Sequence, residues 1–165
     1  MAKQPKDLND LFFETLKDIY FAEKQILRAL PKMAKAAQSP ELTAAFEKHP
    51  DETETHVDRL EQVFELVGKP ARGKTCEAIL GIVEEGKEIM EDFAGTAALD
   101  PGLVAAAQAV EHYEMARYGT LRAWAQQLGM KEAVALLDAT LGEEKATDAA
   151  LSKLGTAALN QKAAA

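Results

Sequence analysis

Apolar residues recur along almost the whole chain at the three- and four-residue spacing of a single helix face. No stretch alternates apolar and polar residues as a half-buried strand would. A chain patterned this way has stripes to bury rather than pleated faces, so its fold is helix packed on helix. Abundant alanine and sparse β-branched residues point the same way. The 165 residues suffice for one hydrophobic core and are too few for two ordinary domains. The reading is a single all-α domain over 1–165, with 1–6 and 160–165 as frayed ends.

The punctuation divides the stripes. Asp7 is placed to cap a first helix whose apolar face runs through Leu8, Phe12, Leu16, Ile19, Ile26 and Leu30, until Pro31 ends or kinks it. Ser39-Pro40 is a cap followed by proline at the first helical position. The second helix then runs to Val67 and stops at Gly68, with Pro50 bending it on the way. A loop over 68–75, a shorter helix over 76–94 and a loop over 95–100 follow. Asp100-Pro101 repeats the cap-plus-proline opening for a third long helix that ends at Gly129. The last helix carries Val134, Leu137, Leu141, Leu151 and Leu154. Four long helices of roughly 25 residues make a four-helix bundle. The middle segment is too long for a tight turn, so two helical hairpins are expected, joined by a crossover that carries the fifth, short helix.

Acidic residues interrupt these stripes at mid-length. Glu23 lies between Ile19 and Ile26 on the first helix. His49, Glu52 and His56 occupy the stripe between Phe46 and Leu60. Glu114 follows Val110 by four, with Glu111 beside it, and Glu144 and Asp148 fall between Leu141 and Leu151. Burying unpaired carboxylates costs several kcal/mol each, so something positive has to sit among them. Arg117 and Lys145 are the only basic side chains near that level, which leaves divalent metal as the simpler answer.

Glu23, Glu52, Glu114 and Glu144 would balance two divalent ions, with His56 and Asp148 as terminal ligands and Glu111 reaching the same centre. Hard oxygen donors with an imidazole suit iron or manganese, and the ligand types also admit zinc. Glu52 to His56 and Glu144 to Asp148 share one spacing, so each hairpin supplies one carboxylate and then a two-ligand motif. His49, one more turn away, and His112, facing away from Glu114, are left out of the set.

Acids outnumber bases 27 to 19, for a formal charge of −8, which disfavours nucleic acid and anionic membrane surfaces as partners. The lone Cys76 rules out an intramolecular disulfide and fits a reducing cytosol. No apolar run is long enough for a membrane span, and the polar start carries no secretory signal. A cytoplasmic location is expected.

Asp18-Ile19-Tyr20-Phe21-Ala22-Glu23-Lys24-Gln25, the pair Glu52-Thr53 with His56, Ala107-Gln108-Ala109-Val110-Glu111-His112-Tyr113-Glu114, and Thr140-Leu141-Gly142-Glu143-Glu144-Lys145 with Asp148 form a recognisable series. At these residues the chain resembles the ferritin-like YciE/YciF-type proteins, a stress-associated bacterial group. The resemblance runs from about residue 7 to about residue 155. It implies a ferritin-like bundle, a dinuclear metal site and a homodimer. The wider ferritin-like pattern uses Glu-x-x-His, whereas this chain has Thr53 three residues before His56 and its acid at Glu52. Many relatives carry a histidine where Asp148 stands. The function expected is a dinuclear iron or manganese protein, two ions per chain, handling a small oxidant such as oxygen or peroxide. Iron sequestration in a cage, or a structural protein with a vestigial site, are the alternatives.

Overall fold

The structure, a computed structural model, describes residues 5–165. Its main elements are α1 (Leu8–Ala36), α2 (Pro40–Leu66), α3 (Glu77–Asp92), α4 (Leu99–Gln127) and α5 (Lys131–Leu154). There is no strand among the described residues. The fold is the expected all-α bundle, and its helix starts follow capping chemistry. Asp7 accepts from the backbone of Asp10, whose side chain accepts in return from the Asp7 N–H. Ser39 caps α2 through the N–H of Leu42, with Pro40 at the first position. Gly68 and Gly129 end α2 and α4 with φ of 65° and 74°, backbone that favours glycine.

Two hairpins, α1–α2 and α4–α5, lie side by side, with α1 against α4 and α2 against α5. Adjacent long helices run antiparallel. Asp100, at the start of α4, meets Gln38 just past the end of α1, whereas Tyr113 farther along α4 meets Asp18 farther back on α1. Arg59 of α2 pairs with Glu143 of α5, and Gln108 of α4 bonds Asp148 and Ser152 of α5. Phe12, Leu16, Ile19, Leu42, Leu60, Leu103, Leu121 and Leu137 form the dry centre. The crossover helix α3 lies along the α1–α4 seam. Its approach to α4 depends on small residues: a Cβ on Gly102 would stand 2.6 Å from Ile89, and one on Gly86 would meet Ala106 at 3.5 Å.

Two expectations need correction. Pro31 does not end α1, which continues to Ala36; one missing N–H is tolerated while Met33, beyond it, is anchored in the core. Asp100 does not cap α4. That helix starts at Leu99 without a side-chain cap, and Asp100 instead accepts the N–H groups of Gln38 and Ser39 at 2.8 and 2.7 Å, tying the α1–α2 turn to α4. Beyond α5 the chain stays helical. A wide helical turn over Gly155–Leu159, with Gly155 and Leu159 buried, leads into α6 (Asn160–Ala164). Of the amino-terminal residues expected to fray, 1–4 lie outside the described residues, and 5–6 are exposed and non-helical.

Candidate metal centre

The inward faces of the four long helices converge at mid-bundle on six side chains. They are Glu23 from α1, His49 and His56 from α2, Glu111 and Glu114 from α4, and Glu144 from α5, all 0–6 % exposed. Ligand atoms of His49, Glu111, Glu114 and Glu144 lie within 4.8 Å of one another, as do those of Glu23, His56 and Glu144. Glu144 belongs to both groups, so the two meet at that carboxylate. His49 and His56 are seven residues apart, two turns on one face, and Glu111 and Glu114 are three apart on theirs.

Nine polar atoms of these six side chains are buried with no hydrogen-bond partner: Glu23 Oε2, both ring nitrogens of His49, His56 Nδ1, Glu111 Oε2, and both carboxylate oxygens of Glu114 and Glu144. Several lie close without aligning. His56 Nδ1 is 2.9 Å from Glu144 Oε1 and 3.6 Å from Glu23 Oε1, and His49 Nε2 is 3.3 Å from Glu111 Oε1, yet none of these contacts has hydrogen-bond geometry. The groups converge on shared space rather than on each other.

The outer side of the cluster is conventional. His56 Nε2 lies 2.8 Å from Glu143 Oε2, and Arg59 grips the same carboxylate with two N–H donors at 2.6 and 2.9 Å. Glu143 thus holds one imidazole nitrogen outward and leaves Nδ1 facing Glu23 and Glu144. Tyr118, wholly buried, donates its hydroxyl to Glu23. Burial, with Glu23 and Glu114 beside it, raises the pKa of that phenol well above the usual value.

Crowded buried carboxylates hold protons. Burial raises Glu114 well above the carboxylate range, reinforced by Glu23, Glu144 and Glu111. Burial also pushes Glu111 up to about 8, with His49 opposing and Glu144 adding to the rise. At the histidines burial works against the charged ring but loses to the acids. His49 is raised by Glu111, Glu144 and Glu52, and His56 is lifted to about 10 by Glu144 and Glu23.

Of the residues singled out in the sequence, Glu23, His56, Glu111, Glu114 and Glu144 come together. Glu52 stands at the edge, its side chain 31 % exposed, held by Lys48 at 2.8 Å and 3.4 Å from His49 Nδ1. Asp148 lies outside the cluster, accepting from Gln108 at 3.2 Å and lying 3.1 Å from His112. His49 is the member sequence reasoning set aside. Its signal was there: it shares a helix face with His56, and Phe46 and Leu60 bracket both. The position three before His56 belongs to Thr53, which is buried and spends its hydroxyl on the carbonyl of His49. Cys76 is buried beside the Tyr113 hydroxyl, 2.9 Å away, remote from the cluster in sequence and bonded to none of its members.

The comparisons with known proteins agree with the fold. The chain is 43 % identical over 159 residues to Protein YciF of Escherichia coli K12, covering 96 % of each sequence. The solved structure of that stress protein superposes with a TM-score of 0.90 at 42 % identity, covering 95 % of this chain and 99 % of that one. YcfI of Rhodopseudomonas palustris, described as a candidate structural protein, gives a TM-score of 0.87 at 43 % identity, covering 92 % and 97 %. The model of the domain of unknown function DUF892 matches residues 7–164, and the chain belongs to that family.

Proposed function

We propose that this chain is a dinuclear iron or manganese carboxylate protein that handles oxygen or peroxide, in keeping with the stress-protein description of its E. coli relative. The observation that carries the reading is the set of buried, unpartnered carboxylate and imidazole atoms at the centre of the bundle. Four acids and two histidines are the donor inventory of bundle-core dinuclear sites, which draw a Glu from two helices and Glu-x-x-His from the other two. Here the same inventory is distributed differently. Both histidines come from α2, two acids come from α4, and Glu23 and Glu144 supply the others.

The donor set fits the group. Four carboxylates balance two divalent ions, and Glu23, His49, His56, Glu111, Glu114 and Glu144 would hold them. Bound iron or manganese would supply one-electron redox chemistry and a place for a small oxidant. The chain's own residues do the rest. Glu143, braced by Arg59, orients His56 with Nδ1 inward. Tyr118 fixes Glu23 by donating to it. The helices exclude bulk water from all six donors.

Metal analysis of protein purified without chelator and loaded aerobically tests this. About two ions per chain are expected from the donor inventory, and fewer than about one would overturn the reading. A homodimer is the expected assembly, and light scattering distinguishes it from the many-subunit cage that iron sequestration would need.

A further inference from the structure

One half of the bundle encloses a cavity. Between the candidate metal centre and the α1–α2 turn lies a cavity of about 380 Å³ with walls from all five main helices. Interiors of folded chains are close-packed, with few voids larger than a water molecule. This volume is within the range of small-molecule sites, about 300–1,000 Å³. The walls are mainly apolar, formed by Ile26, Met33, Phe46, Val83, Met90 and Val110 among others. The inner end carries His49, Glu52 and Glu111.

The lining also includes four basic side chains that reach the surface: Arg28, Lys32, Lys48 and Lys87. Two of them are committed, Lys48 to Glu52 at 2.8 Å and Lys87 to Glu84 at 3.1 Å. Arg28 and Lys32 have no carboxylate within 4.0 Å among the described residues. They stand one turn apart on α1, close enough to hold a single anion between them.

We propose that this cavity binds an elongated apolar molecule with one anionic head group, its head at Arg28 and Lys32 and its apolar end against His49 and Glu111. Charge sets the direction. The free cations Arg28 and Lys32 attract an anionic head, and among the described residues no uncommitted lysine or arginine stands at the inner end to compete for it. The apolar body fills walls that water would wet poorly. Bound this way, the molecule would present carbon–hydrogen bonds, not its charge, to the centre. Binding itself does not depend on metal, so its failure would leave the metal reading standing.

The test is calorimetric titration of the metal-free full chain with sodium dodecanoate, dodecanol and dodecylamine, each below its micellar range. Dodecanoate should bind saturably, at about one per chain, for a single site of this size. The double variant Arg28→Glu/Lys32→Glu, altered only at exposed positions, should weaken dodecanoate about tenfold, the effect of losing two exposed ion pairs. It should leave dodecanol unchanged. Ala29→Trp, which fills the cavity from α1, should abolish binding of both; if that variant fails to fold, the charge reversal decides alone. Absence of saturable dodecanoate binding, preference for dodecylamine, or dodecanoate binding indifferent to the charge reversal would each overturn the proposal.

Discussion

Glu114 has neither a hydrogen bond nor a cation in contact, and it faces three other acids. Replacing it by glutamine keeps the volume nearly constant and puts a neutral amide where the buried carboxyl already holds its proton. Glu114→Gln should therefore leave the melting temperature of metal-free protein unchanged or raised, while most of the gain on adding iron or manganese disappears. A variant that melts lower without metal and keeps the full gain would show that Glu114 is a structural acid. Glu143 acts through His56, so Glu143→Ala should lower metal affinity by about 10- to 100-fold while circular dichroism stays unchanged. The same crowding sets a pH dependence. Folded Glu111 holds its proton up to about pH 8 and folded His56 up to about pH 10, whereas the unfolded chain releases them near 4.5 and 6.5. The unfolded state then binds fewer protons, so the stability of metal-free protein falls as pH rises from 5 to 9. Each ~2 kcal/mol of that loss lowers the melting temperature by about 4–8 °C in a domain of this size. Metal binding has the opposite preference, because the donors must shed these protons first.

At the level of elements, the sequence was most legible where a local rule governs. Asp7, Ser39-Pro40, Gly68 and Gly129 mark boundaries because caps and left-handed turns depend on residues within one turn of each other. Asp100 reads the same way and misleads, since its carboxylate is taken up by a turn some sixty residues earlier. That pairing belongs to tertiary structure and leaves no local trace. It also makes a prediction. Asp100→Ala would orphan two N–H groups at the start of α2, and hydrogen bonds to a charged acceptor contribute about 1.5–3 kcal/mol each. Thermal melts should show a large loss, with Asp100→Asn recovering part of it. The candidate site was legible to the same degree. Interrupted stripes located Glu23, His56, Glu111, Glu114 and Glu144 because burial follows helical phase. Phase could not decide between Glu52 and His49, which are three residues apart on neighbouring parts of the face. The structure turns His49 inward and leaves Glu52 at the edge with Lys48.

At the scale of the whole molecule, the cluster is a level at which all four long helices contribute charged or imidazole side chains to a common point. Two ions there would cross-link the hairpins α1–α2 and α4–α5. Anything that binds only the folded state stabilises it in proportion to the logarithm of its concentration over Kd. Holo protein should therefore melt higher than chelated protein, by an amount that grows with added metal; scanning calorimetry at several metal concentrations would check this. A melting temperature indifferent to metal would argue against a cross-link.

The crossover helix has a kinetic consequence. Only Ile79 and Gly86 of α3 are fully buried, against nine residues in each of α1 and α2. An element with so little sequestered surface undocks at a fraction of the global free energy. Its amides should exchange with deuterium well before those of the four long helices. Since α3 also walls the cavity through Ile82, Val83 and Met90, exchange there would measure how often the interior opens to traffic without the bundle itself coming apart.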